Sequence, residues 1–87
     1  MTVYMVERDL KGISMEDLAG AQKAAIATAA DMTRSGDAIS YLRSTFAPED
    51  CRCMCLFDGK DEAQVRRLND TAGLPYSRVV EAMDLTP

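Results

Sequence analysis

The sequence predicts a small α+β domain of element order β-α-β-β-α-β. An alanine-rich helical stripe lies between two extended segments, a second and shorter helix is stopped by Gly73-Leu74-Pro75, and extended runs occupy both ends of the chain. Two β-α-β units with right-handed crossovers interleave most simply as a four-stranded antiparallel sheet with both helices on one face, the ferredoxin-like plait. Residues 1–87 hold no linker, repeat or low-complexity stretch, so they make a single domain.

The elements follow in order. Val3, Tyr4, Met5 and Val6 favour an extended chain, and a first strand is expected over roughly residues 2–8. Leu10-Lys11-Gly12 turns the chain, and Ser14 is placed to cap a helix, with Asp17 three positions on and Glu16 in the first turn. Leu18, Ala21, Ala25, Ala29 and Met32 then fall on one helical stripe, and the alanines make a slim helix that can lie close to a sheet. Arg34-Ser35-Gly36 closes it, with Gly36 suited to a left-handed cap. Asp37 to Phe46 reads as the second strand and Ala47-Pro48-Glu49-Asp50 as a turn. Residues 51–57 form the third strand, and Asp58-Gly59-Lys60-Asp61 leads into a helix with Val65, Leu68 and Ala72 inward. Glycine past its end and proline just beyond stop that helix, and Val79, Val80, Ala82 and Met83 make the last strand.

Composition narrows the function. Ten basic and fourteen acidic residues give a net charge of −4, which argues against nucleic acid and against an anionic membrane surface. No apolar run approaches the roughly 20 residues that span a bilayer. The opening MTVYMVERDLKG lacks a basic segment followed by an unbroken apolar one, so no signal peptide is expected and the chain reads as cytoplasmic. Three cysteines, an odd number, suit a reducing compartment better than a disulfide framework. With no histidine present, a catalytic Cys-His pair is excluded.

The strands are apolar on both faces. Val3 and Met5 point opposite to Tyr4 and Val6, and Val79 and Met83 opposite to Val80 and Ala82. A half-solvated sheet alternates apolar with polar, so something covers the second face. A second copy of the chain is the simplest cover, in the manner of a dimeric α/β-barrel.

Every cysteine lies in D-C-R-C-M-C-L-F-D, residues 50–58. On a straight strand Cys51, Cys53 and Cys55 share one face at spacings of about 6.5–7 Å. Thiolates favour soft ions, which makes the three sulfurs, with Asp50 beside them, a candidate metal set. Cysteine also serves as a small apolar filler in buried strands, and Met54-Cys55-Leu56-Phe57 has that character. A separate candidate is an enzyme or small-molecule-binding site in the cavity on the open sheet face, with Tyr4, Glu7, Tyr41 and Arg43 as its polar groups. Tyrosines facing a dimer interface account equally for Tyr4 and Tyr41. A plain interaction module without ligand chemistry is the third class.

Ser40-Tyr41, Cys55-Leu56-Phe57-Asp58, the opening Tyr4-Met5-Val6-Glu7-Arg8 and the stretch KDEAQVRRLNDTAGLPYSRVVEA together resemble the small nickel-binding, ferredoxin-like proteins. The resemblance spans essentially the whole chain and implies a dimeric plait that binds nickel or another soft divalent metal. Since this chain has no histidine, that inheritance requires thiolate and carboxylate ligands instead. Cys55 falls on a family-like position, whereas Cys51 and Cys53 are particular to this sequence.

Overall fold

A computed structural model describes residues 1–87. It contains β1 (Thr2–Asp9), α1 (Met15–Arg34), β2 (Ser40–Ala47), β3 (Arg52–Gly59), α2 (Glu62–Ala72) and β4 (Arg78–Glu81). The strands form one sheet in the order β2-β3-β1-β4, each neighbouring pair antiparallel. The α+β plait is as the sequence predicts. No helix is long and apolar enough to cross a membrane.

Local chemistry sets the helix ends. The Ser14 hydroxyl accepts the Asp17 N–H at 3.0 Å, and the Asp61 carboxylate accepts the Gln64 N–H at 2.8 Å. Each satisfies an otherwise orphaned donor of a first turn. Gly73 ends α2 in the left-handed region at φ 71°, where glycine carries no Cβ penalty. The cap of α1 is Ser35, and Gly36 takes the left-handed conformation just after it.

Three strand boundaries differ from the expectation. β2 starts at Ser40 because the chain before it is tied to α1: Thr33 Oγ1 donates to the Ile39 carbonyl at 2.9 Å and accepts the Ile39 N–H at 3.1 Å. β3 starts at Arg52 because Cys51 has φ 54°, and its carbonyl accepts the Leu10 N–H at 2.8 Å. β4 ends at Glu81, so Met83 lies beyond the strand and is exposed.

Directly opposed residues share a sheet face, and the register therefore sorts the side chains. Val6 opposes Cys55 and Val79, and Arg8 opposes Cys53; these face the helices. Met5 opposes Leu56 and Val80, and these half-buried side chains form the open face. β2 joins through a bulge between Tyr41 and Arg43. The extra residue shifts the alternation, so that Tyr41, Ser44 and Phe46 all lie opposite helix-facing residues, while Arg43 opposes Leu56. The expected arrangement with Tyr4 and Tyr41 on the uncovered face is thereby corrected. Tyr4 is buried in the core, and the Tyr41 ring meets Phe57 edge-on at 5.5 Å.

The core lies between the sheet and the helices, with Val6, Phe57, Val65 and Leu68 fully enclosed. Gln64 is a polar member of this layer. Its amide accepts from Lys60 N–H at 2.8 Å and donates to Asp37 Oδ1 at 2.8 Å and to the Ala38 carbonyl at 2.9 Å. One buried side chain thus joins the entrance to α2 with the entrance to β2. Gln64→Ala strands these partners and is expected to lower unfolding free energy by about 2 kcal/mol, read from urea midpoints at unchanged slope.

Candidate functional site

The sheet's covered face and the early part of α1 line a partly open cavity of about 160 Å³. Its roof is made by Leu18, Ala21 and Ala25, and Phe46 and Leu74 close its sides. Short alanine side chains at two roof positions leave this space unfilled. An apolar cavity of about 150 Å³ accepts a benzene-sized guest, so the volume is chemically useful.

Polar groups converge on it from α1 and from three strands. Gln22 Nε2 donates to the Tyr41 hydroxyl at 3.0 Å, and the Tyr41 hydroxyl lies 2.5 Å from Ser44 Oγ. Ser44 Oγ donates to Cys55 Sγ at 3.0 Å, and Cys55 Sγ lies 3.7 Å from Cys53 Sγ. With the Ser44 hydrogen committed to sulfur, the Tyr41 hydroxyl donates to Ser44. All the donors then point the same way, from the exposed rim toward the buried sulfur, and such chains reinforce one another. The donor chain ends on the Cys55 sulfur.

Arg8 lines the same cavity at 3% exposure. Its Nη2 donates to Asn69 Oδ1 at 2.6 Å and its Nη1 to the Pro75 carbonyl at 3.1 Å. Both acceptors are neutral, and none of the chain's ion pairs includes Arg8. The carbonyl end of α2 lies alongside, so the helix dipole offsets part of the charge. Asn69 is held for its task by donating to the Val65 carbonyl at 2.8 Å.

A protein-family model described as "Nickel responsive protein SCO4226-like" matches residues 4–82. The chain belongs to this family. A crystal structure of SCO4226 from Streptomyces coelicolor A3(2) superposes with a TM-score of 0.79 at 21% identity, covering 97% of this chain and 99% of that one. At that identity the likeness bears on the fold. No curated protein matches the chain significantly.

For a member of a nickel-responsive family, the donors expected from the sequence are placed unevenly. Cys53 and Cys55 come together, but Cys51 does not join them. Its left-handed backbone lies outside β3, and its sulfur contacts the Pro48 carbonyl at 3.6 Å. Asp50 is exposed in the preceding turn. No three cysteine or acidic side chains converge as a metal cluster. The other candidate set is split by the sheet, with Tyr4 and Tyr41 on the covered face and Glu7 and Arg43 on the open one. Glu7 is clamped by Arg52 and Arg78, and the Arg78 hydrogen bond does most to hold its carboxyl below the usual range. Arg43 pairs with Asp84 at 2.7 Å.

Arg8, Ser44 and Gln22 escaped the sequence reading. Arg8 was accessible to it, because it follows Tyr4 and Val6 at the strand period of two. Ser44 was not, because the bulge decides its face.

The Cys53 thiol is pushed up to about 11, first by burial and then by the Cys55 sulfur, with Arg8 and Ser44 opposing. A folded value above the unfolded one means that folding favours the neutral thiol. This stabilisation is complete below about pH 9 and is lost as pH rises toward 11. Urea midpoints are therefore expected to fall over that interval in the parent chain and to fall less in Cys53→Ala, and parallel curves would contradict the assignment.

Proposed function

We propose that this chain is a small cytoplasmic, metal-responsive accessory protein that takes up nickel or another soft divalent ion at the Cys53–Cys55 pair beneath α1. The sulfur separation of 3.7 Å carries the reading. Two thiolates bound about 2.3 Å from one tetrahedral ion such as zinc lie about 3.75 Å apart, so the metal-free pair already has a tetrahedral chelate's bite. A square-planar nickel ion requires the sulfurs to close by about 0.5 Å. The family's description as nickel responsive supports the same chemistry.

The fit is to a soft ion with few protein ligands. Two sulfurs and the Ser44 hydroxyl leave coordination positions for an exogenous donor, and Cys51 and Asp50 take no part. When bound, a soft cation supplies the charge that keeps both sulfurs as thiolates. The chain's own residues prepare for that state. Gln22, Tyr41 and Ser44 aim their hydrogens toward Cys55, and Arg8 favours the ionised form of Cys53. Because both thiols must lose protons, uptake strengthens as pH rises.

Elemental mass spectrometry of untagged protein, purified under reducing conditions and incubated with nickel or zinc, tests this. One bound ion per chain is expected in the parent and in Cys51→Ser, with loss in Cys53→Ser and in Cys55→Ser. Equal metal content in all four proteins overturns the site.

We also propose that the protein is a homodimer through the open sheet face. Met5, Met54, Leu56 and Val80 make an apolar centre there, and Glu7 with Arg52 and Arg78 and Arg43 with Asp84 add charges of both signs around it. Mixed charge around an apolar centre suits a self-complementary two-fold contact. Val80→Asp is expected to give a folded monomer by light scattering, whereas Val79→Asp, at a core position, loses the fold. A Val80→Asp protein that stays dimeric refutes this interface.

A further inference from the structure

We propose that the cavity beneath α1 binds a small organic anion, a monocarboxylate with a short apolar body, through the guanidinium of Arg8. This deepens the reading of that cavity as the ligand site but does not depend on a metal being present.

Three observations point to this ligand class. Arg8 is buried, yet no carboxylate of the chain pairs with it. A buried charge held only by neutral acceptors is a costly arrangement. The guanidinium has five N–H donors, of which Asn69 and Pro75 take two, and a planar fork of free donors matches a carboxylate. The space that Arg8 lines is mostly apolar, bounded by Leu10, Leu18, Ala25 and Leu74. An inorganic anion would leave those walls without contact, and a neutral apolar guest would leave the charge unanswered. A short carboxylate satisfies both.

Butyrate and 1-butanol, similar in size and different in charge, are the probes. Metal-free protein is titrated with each while backbone amides and arginine Nε–H signals are followed by NMR. Butyrate is expected to saturate, to shift the Arg8 Nε–H and the amides of Ala25 and Cys53, and to bind at least about ten-fold tighter than butanol. Asn69→Asp places a carboxylate where the neutral amide now meets Arg8, and Arg8→Met removes the charge. Each is expected to weaken butyrate at least about ten-fold while leaving butanol unchanged. Asn69→Asp also gives up the amide's hydrogen bond to the Val65 carbonyl. Should neither variant fold, Arg8→Lys, which keeps the charge and loses the planar fork, is expected to weaken butyrate in the same way and decides. Ala21→Leu fills the roof and is expected to exclude both probes.

Butyrate binding no tighter than butanol, or unaffected by Asn69→Asp, overturns the anion assignment. Butanol binding alone leaves the cavity standing as a site for neutral guests. Metal uptake lost in Cys53→Ser while butyrate binding persists separates this inference from the metal reading.

Discussion

β1 and β3 run antiparallel over Thr2–Asp9 and Arg52–Gly59, and the face of every side chain on both strands follows from that one register. It sets Tyr4 against Phe57, Val6 against Cys55 and Arg8 against Cys53. Two of these pairs build the core, while the last joins a guanidinium to a thiol. A slip of one residue would part the sulfurs of β3 from the arginine of β1, turning one or the other to the open face. The pairing is held in place by what each side buries: Val6 and Phe57 are fully enclosed on the covered side, and Glu7 is clasped by two arginines on the other. Core and candidate site are thus selected by the same constraint.

Within that frame the electrostatics are uneven. Glu7, on the open face, has two cationic partners, whereas Arg8, its neighbour in sequence and buried on the opposite face, has no anionic one. The carboxylate is held ionised, and the guanidinium rests on an amide oxygen and a carbonyl at the end of α2. Beside it, burial keeps the Cys53 thiol neutral although the surrounding donors favour an anion. Around one cavity, then, lie an arginine without an anionic partner and two thiols in contact.

Much of the fold was legible because it rests on local signals. Ser14, Asp61 and Gly73 each act where the sequence places them, and the alanine stripe of α1 turns inward at Ala25 and Ala29. The site was less legible because it depends on deviations from regularity. A straight strand would align Cys51, Cys53 and Cys55, but the left-handed backbone at Cys51 removes the first from the row. Strict alternation in β2 would put Tyr41, Arg43 and Thr45 on one face, and the bulge instead brings Ser44 into line with Tyr41. Ile39 shows the limit in another form. It is a core residue, yet it lies in the connection before β2, held there by hydrogen bonds to Thr33.

The bulge at Leu42 gives chain length a chemical meaning. β2 carries one residue more than its pairing needs, and around it Arg43 still reaches the open face and Ser44 the thiols. Deleting that residue would restore ordinary pleating and keep Tyr41 opposite Phe57 and Ser44 opposite Cys55. Drawing it into the ladder instead, at unchanged length, slips one side of the strand by a residue and turns either Tyr41 or Ser44 outward. Divergence of this site among related chains therefore need not involve substitution of any residue in it. The place at which the strand takes up its extra residue suffices, and a comparison that aligns residues without counting bulges would pass over the change.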